Sequence, residues 1–277
     1  MTVPILYAGN RAMFDGIVIS LLSVTKYRRD PLDVYLLTMD LRDLDPRFAP
    51  IDETQRVYLE TLCREANAQS RVTLLEAGQM YRETLLHSPN EATSYTPYCF
   101  LRLYADRFPQ LPDKIIYLDT DTVLCGDIAE LYLVELSDCE YAAVRDHYGC
   151  HFFGINYINS GVMLLQLNRI RQTLLFRRAL DACAEKKIFL PDQTALNRLV
   201  RRRKILPRRF NEQKKDRSDT LIRHFSMNIL WLPWFHTRNI KPWDVERVHN
   251  ELHTHRYDAV LDEYLSRRAN VPELFRP

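Results

Sequence analysis

Three absences narrow the functions open to this chain of 277 residues. It contains no uninterrupted apolar run of about 18 residues, the length that a helix needs to cross a bilayer, so no membrane span is expected. Its six cysteines include no CxxC pair, which disfavours a zinc site or a disulfide framework and predicts reduced thiols in a cytoplasmic protein. Only seven glycines occur, and none forms a GxGxxG or GxxxxGK motif. A phosphorylated ligand would therefore have to be neutralised by something other than a glycine-rich loop.

The charge of the chain is small overall but unevenly distributed. A net charge of +2 predicts that the protein as a whole does not bind polyanions, and no nucleic-acid partner is expected. The segment 198–217, however, has ten Lys or Arg residues against two acids. Such a run is most often a solvated face. Together with the C-terminal RRANVPELFRP it could also approach acidic lipid headgroups, which would make the protein peripheral on the inner face of a membrane.

Apolar strand-like segments alternate with helical ones along most of the chain. This alternation predicts one α/β domain with a mostly parallel sheet covered on both faces, and such sheets bind ligands at the carboxyl ends of their strands. Asp192 is the candidate N-cap of a helix over 192–200. The predicted strands span 3–9, 32–40, 71–77, 141–146, 157–167 and 220–225, and the predicted helices span 14–27, 54–66, 97–108, 174–187, 192–200 and 241–253.

The segment IIYLDTDTVL, residues 115–124, ends an apolar strand with two carboxylates. In an extended strand Asp119 and Asp121 project to the same side. Two like charges so close are unfavourable unless a cation or a shared proton relieves them. A hard divalent ion such as Mn²⁺ or Mg²⁺ would do so and keep positions open for a diphosphate. The alternative without a ligand is a solvated acidic turn.

An apolar strand followed by a DxD motif, as in residues 115–124, occurs in two classes of enzyme. These residues resemble the first motif of haloacid dehalogenase phosphatases, in which Asp119 would be the nucleophile and Asp121 the acid/base. They also resemble the DxD motif of nucleotide-sugar glycosyltransferases. More than 100 residues of α/β pattern precede the motif, and no suitable later acidic pair follows it. The phosphatase is therefore the second choice.

Four further motifs, ILYAGN, YINSGVMLL, PDQTALN and IKPW, follow in an order that resembles glycosyltransferase family 8. This family includes bacterial lipopolysaccharide galactosyl- and glucosyltransferases and glycogenin. The resemblance implies a Rossmann-like nucleotide-sugar-binding domain of the GT-A type over residues 1–243. Residues 244–277 would form a helical C-terminal appendage packed on that domain.

The resemblance also implies roles for individual residues. Asp119 and Asp121 would hold the metal, and Arg102 and Lys241 would contact the diphosphate of the donor. Asp146, Asp192 and Gln193 would be the catalytic residues. Asp146 and Asp192 would bind the donor sugar, and Gln193 would lie against the reacting face of the anomeric carbon. The other residues that would contact the nucleotide or the sugar are Ala8, Asn10, Thr120, Asn159 and Ser160.

The metal-binding histidine departs from the family pattern H-x-x-G-x-x-K-P-W, which this sequence lacks. His224 is the favoured ligand because it ends a predicted strand, although Lys241 lies 17 positions later. His236, five positions before Lys241, is the alternative. The insertion between them carries Trp231, Trp234 and Phe235, which would pack on the core or form a lid on the acceptor side.

His249 and His253 are spaced as i and i+4 on a predicted helix, so they could chelate a metal. No third ligand is apparent in the sequence. They are therefore expected to be surface residues.

The function expected from the resemblance is a metal-dependent, retaining transfer of a hexose. The donor would be UDP-glucose or UDP-galactose, the cation Mn²⁺ or Mg²⁺, and the acceptor a hydroxyl of a glycan or glycolipid. Because an amide is a poor nucleophile, Gln193 favours a same-face attack over a covalent intermediate. A non-catalytic protein that binds nucleotide sugars is a further alternative.

Overall fold

The computed structural model describes residues 1–91, 97–230, 234 and 236–276. Its strands are β1 Val3–Ala8, β2 Leu32–Thr38, β3 Arg71–Glu76, β4 Lys114–Leu118, β5 Thr122–Leu124, β6 Tyr141–Arg145, β7 Ile158–Gln166, β8 Arg203–Leu206, β9 Ile222–His224, β10 Asn228–Leu230 and β11 His236–Arg238. Its α-helices are α1 Phe14–Tyr27, α2 Glu53–Ala66, α3 Gly78–Thr84, α4 Ala129–Tyr132, α5 Gly149–Phe152, α6 Leu167–Thr173, α7 Leu175–Glu185, α8 Pro191–Leu199, α9 Val245–Leu252 and α10 Asp258–Asn270.

Within the described residues the central sheet has seven strands in the order β3-β2-β1-β4-β7-β6-β8. Strands β3, β2, β1 and β4 pair in parallel, and β6 and β8 do the same. Only β7 runs the opposite way, because it is antiparallel to both β4 and β6. The start of β7 therefore meets the carboxyl end of β4, where the aspartate pair lies.

The sheet separates two apolar layers, and its strands supply both of them by alternation. In β4, Ile116 and Leu118 face one layer, and Ile115 and Tyr117 face the other. The first layer includes buried residues of α1, α2 and α10, and the second includes those of α7 and α8. Each buried aliphatic side chain contributes about 1.5–3 kcal/mol through removal from water. Packing of these two layers fixes the position of the carboxyl ends of the strands, where the aspartate pair lies.

The C-terminal helices share the first layer. Val248 of α9 and Leu261 and Tyr264 of α10 are buried in the same cluster as Phe14 and Ile17 of α1. The hydroxyl of Tyr264 also donates a hydrogen bond to Asp15. Buried residues of α9 and α10 thus pack in the same apolar layer as those of α1.

The helix predicted over 97–108 is present as a 3-10 helix, Pro97–Arg107. Two other local expectations were wrong. Asp192 is not an N-cap, because α8 begins at Pro191 after Leu190 and the side chain of Asp192 lies within the first turn. The strand ending at His224 is not the last one, because β10 and β11 follow it as an antiparallel pair.

A partly buried carboxyl on the 3-10 helix, that of Asp106, predicts a pH-dependent stability. Burial raises the pKa of Asp106 to about 6 from 3.8, although Arg107 and Arg171 oppose the shift. Its Oδ1 atom has no hydrogen-bond partner among the described residues. Ionisation of this group therefore destabilises the fold increasingly as the pH rises from about 4 to above 6.

We expect Asp106→Asn to change stability little at pH 4 and to stabilise the protein at pH 8, by at most about 3 kcal/mol. Urea unfolding of both proteins at the two pH values would measure the difference. An equal effect at both pH values would show that the carboxyl ionises normally in the fold.

Candidate active site

A cavity of about 920 Å³ opens at the carboxyl ends of β1 and β4. It forms there because β7 pairs antiparallel with β4, which sets Leu118 opposite Val162. The backbone amide of Asp119 then donates to the carbonyl of Gly161 at 2.7 Å. The described residues that line the cavity include Ala8, Arg102, Asp119, Thr120, Asp121, Asp146, Asn159, Ser160, Asp192, Gln193, His224 and Lys241.

Two carboxylates and one imidazole converge at the base of this cavity. Strand β5 pairs with β9 so that Thr122 is opposite His224, which brings the histidine beside the aspartate pair. The Nε2 atom of His224 lies 3.1 Å from Oδ1 of Asp121 and 3.7 Å from Oδ2 of Asp119. One ligand atom from each of the three residues lies within 4.8 Å of the others. Two carboxylate oxygens and one imidazole nitrogen form a donor set that suits Mn²⁺.

The remaining carboxylate oxygens are already occupied by cationic or hydroxyl groups. Oδ1 of Asp119 accepts hydrogen bonds from the hydroxyl of Tyr117 at 2.7 Å and from Nη2 of Arg102 at 2.9 Å. Oδ2 of Asp121 accepts one from Nζ of Lys241. Each aspartate is thereby held by one oxygen, and its other oxygen faces His224.

The same contacts set the charge of the cluster. Burial alone would raise the pKa of Asp121, but Lys241 and His224 outweigh it and hold that pKa well below its usual range. Burial likewise disfavours the cationic form of Arg102, yet Asp119 and Asp192 raise its pKa above the ordinary value. The carboxylate of Asp121 and the guanidinium of Arg102 are therefore both ionised at neutral pH.

The orientation of His224 is fixed by Asn211, a residue that the sequence reasoning missed. Nδ1 of His224 lies 3.1 Å from Oδ1 of Asn211, which accepts its proton and leaves Nε2 as the ring atom facing the aspartates. Nδ2 of Asn211 donates to Oδ1 of Asn159 at 2.9 Å. Asn211 is fully buried, and no motif in the sequence marks it.

Gly161 stands where a side chain would disrupt the cluster. A Cβ atom built there would lie 2.7 Å from Oδ2 of Asp119 and would collide with the ring of His224. Distances this short are not tolerated between such atoms, so either the aspartate or the histidine would have to move. The glycine of the YINSGV motif thus permits the close approach of β7 to the charged groups.

A second group of polar residues lies on the other side of Gly161. Oδ2 of Asp146 accepts hydrogen bonds from Nδ2 of Asn159 at 3.0 Å and from Nε2 of Gln193 at 3.3 Å. Oε1 of Gln193 accepts one from the backbone amide of Ser160 at 3.0 Å. These four residues therefore form one hydrogen-bonded unit in the cavity wall.

Asp192 connects this unit to Arg102. Its Oδ2 atom lies 3.3 Å from Nε of Arg102 and accepts a hydrogen bond from the hydroxyl of Ser160 at 3.3 Å. Burial raises the pKa of Asp192, and Arg102 opposes that shift. The carboxylate that was expected to cap α8 instead faces the cavity, because the first turn of α8 points at the start of β7.

The structure separates the two candidates for the third metal ligand. His224 belongs to the aspartate cluster, whereas His236 lies on β11 and its Nδ1 atom is 2.8 Å from the backbone carbonyl of Trp234. His236 is not among the described residues that line the cavity. The same is true of Asn10, a buried residue whose Nδ2 atom donates to the carbonyl of Arg47 at 3.2 Å. Ala8 and Thr120 do line it.

The insertion between His224 and Lys241 forms a hairpin. Asn228 of β10 pairs with Arg238 of β11, so the chain leaves the site and returns to it within the insertion. Met227 and Ile229 line the cavity, and Tyr148 on the opposite rim donates to the carbonyl of Ile229 at 3.1 Å. Trp231 and Phe235, part of the expected lid, lie outside the described residues, and Trp234 is exposed.

The cavity also has an apolar rim that was not predicted from the sequence. Phe152, Phe153 and Phe189 line it and are 62%, 47% and 66% exposed. Solvent-exposed aromatic residues grouped at the mouth of a cavity are typical of a binding surface. The segment 149–155 showed no periodicity from which its position could have been predicted.

The fold is shared with solved glycosyltransferases. Galactosyltransferase LgtC, solved with donor and acceptor sugar analogues, superposes with a TM-score of 0.68 at 17% identity and covers 95% of this chain and 96% of LgtC. GlyE of Streptococcus pneumoniae superposes with a TM-score of 0.59 at 19% identity, covering 96% of this chain and 64% of that one. The protein is accordingly an α/β protein of the GT-A type.

The family is established by sequence. The model of glycosyl transferase family 8 matches residues 4–246, and the chain belongs to this family. The prediction made from its motifs is confirmed. These comparisons give no support to the phosphatase alternative.

Curated relatives match over parts of the chain. Glycosyltransferase GlyA of Streptococcus pneumoniae is 35% identical over 108 residues, which are 38% of this chain and 15% of GlyA. A lipopolysaccharide 1,2-glucosyltransferase of Escherichia coli is 28% identical over 176 residues, 58% of this chain and 51% of the relative. The chain thus spans from 15% to about half of the length of these two relatives.

The contribution of Asn211 to metal binding can be tested without changing Asp119, Asp121 or His224. We expect Asn211→Ala to weaken Mn²⁺ binding about 10–100-fold, the usual effect of losing the group that orients a metal-bound histidine. Asn211→Asp, which keeps an acceptor for Nδ1 of His224, should bind Mn²⁺ at least as well as wild type. Isothermal titration of Mn²⁺ gives both constants, with the exposed Asn156→Ala as control.

Thermal melts of the same variants would establish that each is folded. Equal weakening in Asn211→Ala and Asn211→Asp would mean that the hydrogen bond to His224 does not orient the ring.

Proposed function

We propose that the protein is a metal-dependent, retaining hexosyltransferase that moves glucose or galactose from a UDP-sugar to a hydroxyl of a glycan or glycolipid. The observation that carries the proposal is the convergence of Asp119, Asp121 and His224 at the base of the cavity. Membership of glycosyltransferase family 8 supports a nucleotide-sugar donor.

The charged end of the cavity would hold the diphosphate. Oδ2 of Asp119, Oδ1 of Asp121 and Nε2 of His224 would bind the cation, which when bound supplies positive charge to the diphosphate oxygens. The imidazole nitrogen in this set favours Mn²⁺ over Mg²⁺. Lys241, which reaches the cluster from beyond the hairpin, and Arg102 would contact the phosphates directly.

The nucleoside would lie at the end of β1. Ala8 and Thr120 line the cavity there, and neither offers a side chain large enough to obstruct a flat base. The buried Oδ1 atom of Asn10 has no hydrogen-bond partner among the described residues. A small shift of that side chain would let it accept a hydrogen bond from uracil or ribose.

The hydrogen-bonded unit of Asp146, Asn159, Ser160 and Gln193, with Asp192 beside it, would bind the hexose. Acids and amides that hold one another in place present both donors and acceptors to sugar hydroxyls. Nε2 of Gln193 donates to Asp146, and the hydroxyl of Ser160 lies 3.3 Å from both Oε1 of Gln193 and Oδ2 of Asp192. The amide would therefore face the reacting carbon in the company of both acids.

Catalysis would consist of stabilising the leaving group. The bond between the anomeric carbon and the phosphate oxygen breaks, and UDP departs with additional negative charge. Lys241 and Arg102 stabilise that charge as it forms. The acceptor hydroxyl then attacks the same face of the carbon, and its proton passes to the departing diphosphate oxygen. Retention of the α configuration follows.

The exposed rim of Phe152, Phe153 and Phe189 would be the acceptor side. Aromatic faces pack well against the C–H face of a sugar ring or against an apolar aglycone. The lipopolysaccharide glucosyltransferase of Escherichia coli among the relatives agrees with a glycan or glycolipid acceptor. Asp146 and Asp192 do not distinguish glucose from galactose in the donor.

Membrane contact through the basic segment stays a proposal. Helices long and apolar enough to cross a bilayer do not occur in the described part of the chain. Within 198–217, part of the positive charge is already paired, in Arg202 with Asp138, Arg208 with Glu212 and Arg209 with Glu130. Acidic lipids would have to compete with these ion pairs.

The donor site predicts a stability shift that needs no acceptor. UDP and Mn²⁺ together should stabilise the protein by about 2.7 kcal/mol at 100 times the dissociation constant, and Asp121→Asn should abolish the shift. The exposed Asp113→Asn is the matched control. Differential scanning calorimetry with UDP alone, with Mn²⁺ alone and with both ligands would measure this stability shift. If Mg²⁺ with a phosphate mimic stabilises the protein and UDP does not, the aspartate pair would instead belong to a phosphatase, with Asp119 as the nucleophile.

The role of Gln193 predicts a specific kinetic defect. We expect Gln193→Ala to lower kcat about 10²-fold, as the loss of one transition-state contact does, while the KM for the UDP-sugar changes little. The exposed Gln172→Ala should behave as wild type. Steady-state release of UDP measures both constants, and NMR of the glycoside reads its configuration. A β-linked product, or a glycosylated Gln193 found by mass spectrometry, would contradict the same-face mechanism.

A further inference from the structure

A second cluster of metal-ligating side chains lies on the surface, apart from the cavity. It consists of His249 on α9, His255 in the following loop and Asp258 at the start of α10. One ligand atom of each residue lies within 4.8 Å of the others. The sequence pointed to a different pair, His249 and His253, and missed the third ligand because the turn between the helices could not be anticipated.

The turn itself creates the cluster. His253 ends α9 with a positive φ of 51°, a left-handed conformation that reverses the chain after a helix. The reversal carries His255 back over the last turn of α9. The rings of His249 and His255 then stack with their centroids 4.5 Å apart.

The donor atoms meet on one carboxylate. Nε2 of His249 lies 2.8 Å from Oδ1 of Asp258, and Nδ1 of His255 lies 3.0 Å from Oδ2 of the same group. These two contacts end on different oxygens of the carboxylate and have hydrogen-bond lengths. One ligand atom of each of the three residues lies within 4.8 Å of the others, so an ion with bonds of about 2.0–2.1 Å would require these side chains to shift before it could bind all three.

We propose that His249, His255 and Asp258 form a binding site for a divalent transition-metal ion of the Zn²⁺ or Co²⁺ class. Two imidazole nitrogens and one carboxylate oxygen match the ligand preference of these ions and leave a position for water. The site is distinct from the aspartate cluster, whose oxygen-rich donor set suits a harder cation.

The alternative is a hydrogen-bonded cap, in which both imidazoles donate to Asp258 at the N-terminus of α10. That arrangement needs no ion, and the carboxylate at a helix start is favourable by itself. The two interpretations differ in one measurable respect, since only the metal site makes ion affinity depend on His255.

The site also has a structural consequence. Tyr257, which precedes Asp258, packs its ring at 5.5 Å from that of Phe225, and Phe225 follows His224. An ion at the start of α10 would therefore hold the segment that supports the cavity from behind.

Titration with Co²⁺ followed by visible absorption tests the proposal. The Asp121→Asn background removes the aspartate cluster from the measurement. We expect this variant to bind one equivalent of Co²⁺ with d–d absorption bands and to release it to Zn²⁺. Adding His255→Gln, at a side chain that is 72% exposed, should weaken binding at least about tenfold.

His253→Asn is the matched control in the same loop, because asparagine tolerates the left-handed conformation. It should leave Co²⁺ binding unchanged. Absence of Co²⁺ binding below millimolar concentration, or equal binding with and without His255, would overturn the proposal and leave the cluster as a cap.

Discussion

The repulsion between the carboxylates of Asp119 and Asp121 is the constraint on which the rest of the site depends. Two anions this close, one of them the buried Asp121, require compensation. The compensation comes from Arg102 on the 3-10 helix before β4 and from Lys241 far along the chain. Because each cation binds one oxygen of a different aspartate, the other oxygen of each carboxylate stays directed toward His224. The sheet topology, the glycine at the start of β7 and the hairpin all serve to bring these groups together.

Such a cluster is a poor means of stabilising a fold. Removing charged groups from water costs free energy that their mutual attraction recovers only in part, and an apolar packing of the same residues would often be more stable. Asp121 and Lys241 lie on the cavity wall, where the apolar layers of the sheet are interrupted. Ion pairs retained at the expense of stability at the base of a cavity are typical of groups that a ligand can rearrange. Lys241 can leave Asp121 for a phosphate without leaving an uncompensated charge only if a cation takes its place.

The strands β1–β4, β6, β7 and β9 and the helices α1, α2, α7, α8 and α9 could be predicted from the sequence because alternation and helical spacing are local patterns. The short strands β5, β8, β10 and β11 and the short helices α3–α6 have too few residues to show such a pattern. Asp119 and Asp121 could also be predicted, since two residues apart on a strand project together. Tyr117, two positions earlier, projects the same way and could have been added by this rule. Asn211 could not, because its place is set by the tertiary packing of an irregular segment. Asp192 was misassigned, since a polar residue near a helix start has the same signature whether it caps the helix or faces a cavity.

The hairpin explains how the histidine and the lysine can be so far apart in sequence and still meet at Asp121. An antiparallel pair returns the chain to within about 5 Å of where it left, so the length of the insertion has little effect on the position of Lys241. Phe225 marks the departure point, since its amide donates to the carbonyl of Asp121 at 2.9 Å and its own carbonyl lies 3.3 Å from Nζ of Lys241. The inserted residues are thereby free to vary on the rim of the cavity while the charged cluster beneath them stays fixed. If the proposed function holds, acceptor choice can change in the loops without altering the groups that would hold the diphosphate.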